Sequence, residues 1–149
     1  KPDIPFVSNY PEPYSDRKQE ADDALRLARG LATTDYRGLI NAVHANWRFF
    51  DAPQALFLTV PKSLGSYALL DLGCFLQSFL LACVADGLAA CTQASLAQYP
   101  MAVRPHLPIG MDELIACGVS FGVPDRDTGA NRCRTSRIRF SDFAHFQDL

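Results

Sequence analysis

The 149-residue sequence has few of the residues that usually mark a catalytic or metal-binding site. Its three histidines, His44, His106 and His145, lie far apart and match no metal-ligand spacing. Its five cysteines include no C-x-x-C pair, and such an odd, scattered set is typical of reduced thiols in a cytoplasmic protein. Walker A, G-x-G-x-x-G and Asn-x-Ser/Thr motifs are absent as well. We therefore expect no metal site and no nucleophilic dyad or triad.

The sequence also lacks a large excess of charge of either sign. Its 14 basic and 16 acidic residues give a net charge of −2. This balance argues against a surface built to bind nucleic acid. The first residues form no apolar segment of the kind found in signal peptides, so a cytoplasmic location is expected.

One hydrophobic run, residues 67–85, is long enough to suggest a membrane span. It is apolar on nearly every face, which indicates burial on all sides. Asp71 and Gln77 interrupt it, however, and an aspartate in the middle of a bilayer is costly. The run therefore predicts a central helix, buried inside a domain or between two subunits, with no membrane contact.

The remaining composition is that of an ordinary globular protein, with 48% hydrophobic and 20% charged residues. One compact domain over residues 1–149 is expected. Prolines in the first fourteen residues predict an extended arm over 1–14, followed by a helix with Ser15 as its N-cap that is ended by Gly30. A second helix is expected from about Asp35 to Trp47.

Three short strands are predicted after these helices, at 54–60, 88–92 and 113–121. A helical turn is expected at 96–103, and the C-terminal segment 126–149 is expected to run extended to about Phe140 before a short helical tail. This mixture of elements predicts an α+β fold with a largely antiparallel sheet.

Two short segments are candidates for binding a ligand. Small residues at the strand-to-loop turn 91–95 let backbone approach a flat molecule, although such turns are usually plain strand–helix junctions. Four arginines fall within residues 132–139. They either protect an exposed edge from aggregation or bind a phosphate, whose geometry a guanidinium matches bidentately.

The order and spacing of several segments together resemble the FMN-dependent nitroreductase family. The matching stretches are 87–95, 112–125 and 131–137, with Asp71-Leu72-Gly73 in the central helix, and the similarity extends from about Tyr10 to Phe146. The resemblance implies a nitroreductase-like α/β/α sandwich. It also implies a homodimer in which the central helix packs against its twin and FMN lies at the subunit interface.

The resemblance further implies which residues contact the flavin ring. The backbone N–H of Ala94 matches the group that contacts flavin N5 or O4, with Ser95 beside it. Thr92 and Gln93 match residues that pack on the ring. Because the flavin carries the redox chemistry, no catalytic side chain is implied.

Two further sets of residues take implied roles in the same way. Arg137 best matches the basic residue that contacts the FMN 5′-phosphate, and Arg134 is the next best match. Trp47 and Phe50 lie in an aromatic stretch whose usual role is core packing. By resemblance they are candidates for lining the substrate channel.

The activity implied is that of an NAD(P)H-dependent oxidoreductase that reduces nitroaromatics, quinones or similar electron-poor acceptors through flavin N5. Members of the family begin with a basic Arg-x-Ser-x-Arg segment that binds the flavin. No Arg-x-Ser-x-Arg segment precedes Tyr10 in this sequence. We therefore expect an N-terminally truncated form of the fold. The alternative is a non-catalytic dimeric scaffold, or a fragment that has lost FMN binding.

Overall fold

A three-stranded antiparallel sheet with strand order β1-β3-β2 organises the middle of the chain. In the computed structural model, residues 1–147 are described. The strands are β1 (Gln54–Pro61), β2 (Ala89–Gln93) and β3 (Glu113–Gly122). The helices are α1 (Tyr14–Ala28), α2 (Tyr36–His44), α3 (Tyr67–Ala85), α4 (Pro100–Val103) and α5 (Gly129–Arg132).

The chain divides into two compact units. The sheet unit contains residues 1–8 and 36–125, and the helix–tail unit contains residues 9–35 and the described part of 126–149. The single domain over 1–149 stays a prediction, and the last two residues of its C-terminal segment lie outside the described residues.

The core of the sheet unit lies between the sheet and α3. Leu58, Cys117 and Val119 form its buried cluster, and partly buried side chains of α3, such as Leu76 and Phe79, pack against it. Successive residues of a strand point to opposite faces, so Gly118 faces away from α3. On that second face the 3₁₀ turn Ala94–Ala97 packs through Leu96. Elements therefore cover both faces of the sheet, in agreement with the predicted layers.

Helix α3 is not buried on all sides within the single chain, so its expected burial inside one domain is wrong. Only Ala68 and Cys83 are buried among its residues, because a three-stranded sheet can cover only one stripe of a helix. Its outer face exposes large apolar side chains, including Tyr67, Leu70, Phe75, Leu81 and Val84. By length and hydropathy α3 is also long and apolar enough to cross a membrane. The other expectation, burial between two subunits, stays a prediction.

The sequence pattern predicted the C-terminal end of α1 but not its N-cap. Helix α1 begins at Tyr14 after Pro13, and Ser15 is not its N-cap. Its C-terminus does end as expected at Gly30, whose φ of +70° favours glycine. There the N–H of Gly30 donates to Leu27 O, and the N–H of Leu31 donates to Arg26 O. These bonds satisfy carbonyls that the helix leaves without partners.

The predicted extended run from 126 to about 140 contains a short helix, α5. Gly129 begins α5 so close to the end of α1 that a Cβ atom there would lie 1.9 Å from Ala28 O. A glycine that lets two backbone segments approach closely adds nothing to the periodic spacing of apolar residues from which helices are predicted. The sequence pattern therefore did not indicate this helix.

Candidate functional site

The turn that follows β2 is held against the sheet by one close contact. β2 ends at Gln93, and the 3₁₀ turn Ala94–Ala97 follows at once. Leu96 is buried over Gly118 of β3, where an added Cβ atom would lie 2.4 Å from Leu96 Cδ1. The absence of a side chain at Gly118 therefore sets how closely the turn approaches the sheet.

A hydrogen-bonded cluster ties this turn to the segment after α2. Asn46 Oδ1 accepts from Ser95 Oγ at 3.0 Å and from Gln93 Nε2 at 3.3 Å. Gln93 Nε2 also donates to the backbone O of Asn46 at 2.9 Å. Sequence reasoning did not identify Asn46 as a site residue, because a pairing across 47 to 49 residues leaves no local pattern.

Trp47 joins the same cluster from the other side. Its indole Nε1 donates to the backbone O of Ser95 at 3.3 Å. Its ring lies 5.6 Å from the His44 ring and 6.0 Å from the Tyr99 ring, measured between centroids. Two residues predicted for different roles, Trp47 for the channel and Ser95 for the cofactor, are thus brought into direct contact.

The predicted ring-contacting residues differ in how exposed they are. Thr92 and Ala94 are exposed, and their small side chains leave the backbone accessible to a flat ligand. Gln93 is only 2% exposed, and within the described residues its Oε1 has no hydrogen-bond partner. The Gln93 side chain therefore positions Asn46 and the turn, and its packing on a flavin ring stays a prediction.

Phe50 lies in a backbone segment with an unusual conformation. Phe49, Phe50 and Asp51 all have φ between +52° and +58°, the left-handed region that non-glycine residues seldom occupy. They break the 3₁₀ segment Ala45–Asp51 at a kink. The helix predicted from Asp35 to Trp47 instead begins at Tyr36 and ends at His44, where this 3₁₀ segment takes over. Phe50 is half-buried, and its channel role stays a prediction.

The kinked segment ends against the central strand. Pro53 packs on Gly122 of β3 so closely that an added Cβ atom there would lie 2.6 Å from Pro53 Cδ. The segment is thus fixed on its N-terminal side by Trp47 and on its C-terminal side by Pro53.

The predicted phosphate-binding arginines lie in the helix–tail unit. Arg134 Nη1 donates to the backbone O of Asn131 and Cys133, and Arg137 Nη1 donates to Thr135 Oγ1 at 2.7 Å. Both side chains remain exposed. Arginine side chains that are exposed while one nitrogen is fixed to the local backbone fit the binding of a phosphate.

The remaining polar groups suggest no other chemistry. Within residues 1–147 no group of three or more His, Cys, Asp or Glu side chains is placed to hold a metal ion. Burial raises the pKa of the Cys117 thiol, which keeps this thiol protonated near neutral pH.

Comparison with known proteins places this geometry in a family. No family model matches the chain. A chloronitrobenzene nitroreductase from Comamonas testosteroni is 31% identical over 146 residues, which are 95% of this chain and 64% of that relative. The chain therefore spans less than two thirds of the length of this curated relative.

Solved structures agree over nearly the whole chain. The FMN and NADPH-dependent nitroreductase NfnB from Sphigopyxis sp. strain HMH is 30% identical, with a TM-score of 0.94 over 100% of this chain and 67% of that one. The FMN-dependent nitroreductase NfnB from Mycobacterium smegmatis, solved with NADPH, is 27% identical, with a TM-score of 0.90. This chain belongs to the FMN-dependent nitroreductase family, and its predicted α+β fold class is confirmed.

Proposed function

We propose that this chain forms part of an FMN-dependent oxidoreductase that uses NAD(P)H to reduce nitroaromatics, quinones or similar electron-poor acceptors. The observation that carries the proposal is the TM-score of 0.94, over the whole chain, with an FMN and NADPH-dependent nitroreductase. When bound, FMN supplies the centre, N5, through which hydride passes from NAD(P)H to the acceptor. The chain's own residues bind and orient the reactants.

The turn after β2 is the part of the sheet unit that we assign to the flavin ring. Thr92 near the end of β2 and Ala94 at the start of the turn are exposed and leave room for a flat ring, and the Ala94 N–H would offer a backbone donor to electron-rich ring atoms. Ser95 and Gln93 do not need to touch the ring to contribute. Through Asn46 they fix the turn so that the Ala94 N–H is positioned before the cofactor arrives.

Arg137 and Arg134 are the residues that we assign to the 5′-phosphate of FMN. Their guanidinium groups provide charge-assisted hydrogen bonds, each worth about 1.5–3 kcal/mol. The backbone bonds of both side chains reduce the rotamer entropy that binding would otherwise cost.

The acceptor is proposed to be a flat aromatic compound. Trp47 forms a partly exposed aromatic surface with His44 and Tyr99. Such a surface favours offset stacking with an electron-poor ring. The chloronitrobenzene nitroreductase named above and a nitrobenzene nitroreductase from Ectopseudomonas oleovorans, 30% identical over 146 residues, are named for acceptors of this kind.

A homodimer is proposed from the outer face of α3. Large exposed apolar side chains on one helix face usually mark an interaction surface, and a second copy of the same helix is an apolar partner of matching length. A cytoplasmic location is also proposed, because five scattered cysteines without a C-x-x-C pair are typical of reduced thiols.

The test is the flavin absorbance spectrum of the purified protein after incubation with FMN and desalting, followed by NAD(P)H oxidation with nitrobenzene as acceptor. Retained FMN and acceptor-dependent oxidation are expected. Arg137→Ala should raise the Kd for FMN and leave the turnover of the remaining loaded enzyme nearly unchanged. Arg139→Ala is the matched control, since Arg139 is exposed and pairs with Asp142. A colourless protein that folds and dimerises would instead support the non-catalytic scaffold.

A further inference from the structure

Two neighbouring residues, Asn46 and Trp47, hold the turn after β2 both by a side chain and by its backbone. Asn46 Oδ1 accepts from Ser95 Oγ at 3.0 Å, and Trp47 Nε1 donates to Ser95 O at 3.3 Å. Gln93, the last residue of β2, donates to the backbone O of Asn46 at 2.9 Å. We refer to Asn46 and Trp47 as the turn clamp.

Neither core packing nor the need to satisfy a carbonyl accounts for the contact of Trp47 with the turn. A tryptophan usually buries most of its large ring, but 38% of Trp47 remains exposed. Ser95 O already accepts from the Gln98 N–H at 3.2 Å, so this carbonyl has a partner without the indole. What the indole N–H adds is a second, fixed attachment of the turn to the segment Ala45–Asp51.

The turn clamp is itself fixed on both sides. Asn46 Nδ2 donates to Val43 O at 3.1 Å, in the last turn of α2. Soon after the clamp, Phe49, Phe50 and Asp51 have φ between +52° and +58°. Left-handed residues other than glycine are costly, persist only where the surrounding structure fixes them, and cluster at functional sites. The strained segment therefore supports a functional role for the contact that precedes it.

We propose that Trp47 is a positioning residue for the flavin ring, an inference that rests on the proposed function. Through Ser95, Trp47 holds the turn so that the Ala94 N–H keeps one orientation before FMN binds. A turn that is ordered in advance reduces the entropy that binding would otherwise cost. This role uses the indole N–H, and part of the same ring stays exposed for the acceptor. Trp47 therefore serves the cofactor and the acceptor with two different parts of one side chain.

Trp47→Phe tests this role, because it keeps an aromatic ring and removes the N–H donor. The measured quantities are the Kd of the full chain for FMN and its Kd for riboflavin, both from the quenching of flavin fluorescence. Both Kd values should rise by the same factor, about 3- to 10-fold, which corresponds to the loss of one neutral hydrogen bond. Riboflavin lacks the phosphate, so an equal factor places the effect at the ring. Arg137→Ala, by contrast, should weaken FMN and leave riboflavin unchanged.

NMR relaxation of the flavin-free protein gives a second readout, which needs neither cofactor nor turnover. In Trp47→Phe the order parameter of the Ala94 N–H should fall from about 0.85, the value of a rigid backbone, towards about 0.6. The amides of β3 should keep their values, because β3 is the central strand and is paired on both sides. Well below the unfolding temperature, a loss of overall stability alone would change neither the order parameter nor the Kd values.

Tyr36→Phe is the matched control, since it also keeps an aromatic ring and removes one polar hydrogen, and Tyr36 is 73% exposed. It should change neither the Kd values nor the order parameter. Ser95→Ala, which cuts the bond to Asn46, should reproduce both effects of Trp47→Phe.

The outcomes separate this inference from the proposed function. If the unchanged protein binds FMN and Trp47→Phe alters neither Kd, the positioning role is overturned and the proposed function stands. If Trp47→Phe weakens FMN but not riboflavin, the effect lies at the phosphate and the positioning role is equally wrong. A folded protein that binds neither flavin refutes the proposed function. An Ala94 order parameter that Trp47→Phe leaves unchanged would then overturn this inference as well.

Discussion

Ser95 Oγ donates a 3.0 Å hydrogen bond to Asn46 Oδ1, although the two residues are 49 positions apart in the chain. The same Asn46 oxygen accepts from Gln93 Nε2, so one amide holds both the last residue of β2 and the second residue of the turn that follows it.

Asn46→Ala should therefore destabilise the sheet unit and loosen the turn. Ser95 Oγ and the buried Gln93 amide lose an acceptor, which is expected to lower the free energy of unfolding by about 1–3 kcal/mol. Urea denaturation measures this loss. Asn41→Ala on α2 is the control, since Asn41 is exposed, and a change within about 0.5 kcal/mol is expected. Equal effects of the two substitutions would contradict the role of Asn46.

Gly118→Ala should disturb the packing of the same turn. The new Cβ atom would lie 3.0 Å from Leu96 Cβ as well as 2.4 Å from Cδ1, so rotation of the leucine side chain alone cannot relieve the overlap. Overpacking of this kind costs about 1–3 kcal/mol. In a double-mutant cycle with Leu96→Ala, the combined loss should be smaller than the sum of the single losses. Strict additivity would show that the two residues do not constrain each other.

Arg104→Met tests the buried ion pair with Asp3, which holds the first residues of the chain against the rest of the sheet unit. Arg104 Nη2 lies 2.6 Å from Asp3 Oδ2, and the two side chains are only 6% and 15% exposed. Asp3 Oδ2 also accepts from the backbone N–H of Ile115 at 3.0 Å. Leaving the Asp3 carboxylate buried without its cation should cost about 3–5 kcal/mol, measured by thermal unfolding.

The control for this pair is Lys18→Met on the surface of α1. Lys18 pairs with Asp22, but both side chains are more than half exposed. Solvent screening limits such a pair to about 1 kcal/mol or less. A loss at Arg104 no larger than that at Lys18 would show that the arm is not anchored by Asp3.

Leu81→Glu should convert the proposed homodimer into monomers. Leu81 lies on the outer face of α3 with 61% of its surface exposed in the single chain, and a carboxylate buried between two subunits is strongly disfavoured. Sedimentation velocity should show the loss of the dimer. Leu27→Glu is the matched control on α1, since Leu27 is 66% exposed, and it should leave the dimer intact. A dimer that survives Leu81→Glu would place the interface elsewhere.

The stability of the protein should fall at alkaline pH in a way that depends on Cys117. Burial raises the pKa of this thiol above its ordinary value of 9.0, so the unfolded chain releases the proton at a lower pH than the folded chain does. The stabilisation is thus complete below about pH 9 and is lost as the pH rises towards the folded-state pKa. Chemical denaturation between pH 7 and 10 should show a smaller decline for Cys117→Ala. Exposed Cys74 provides the control, and Cys74→Ala should leave the decline unchanged.

The strands were predicted within about one residue at most ends, because β-branched and aromatic runs bounded by breakers are local signals. β1 differs from the prediction only by Pro61, and β3 only by Gly122. The left-handed conformation of Phe49 and Phe50 gave no such signal, since neither residue is a glycine or asparagine, the types that usually mark this conformation in a sequence.

The residues of the candidate site also include some that the sequence pattern indicated and one that it did not. Thr92, Ala94 and Ser95 were predicted from the order of the motifs; the structure places Thr92 near the end of β2 and Ala94 and Ser95 on the turn that follows, and their role towards the flavin stays a prediction. Asn46 was missed, because its importance comes from Gln93 and Ser95, which lie beside it in space, and not from its sequence neighbours.

The division of the chain into two units has a consequence for synthesis on the ribosome. Helix α1 is made early, but the segment that pairs with it in the helix–tail unit begins only at Arg126, about 90 residues later. At elongation rates of about 5–20 residues per second, α1 waits roughly 5–20 s for its partner, while the three strands of the sheet unit are completed first. The strands of the sheet unit can therefore pair before α1 has the segment that packs against it in the helix–tail unit.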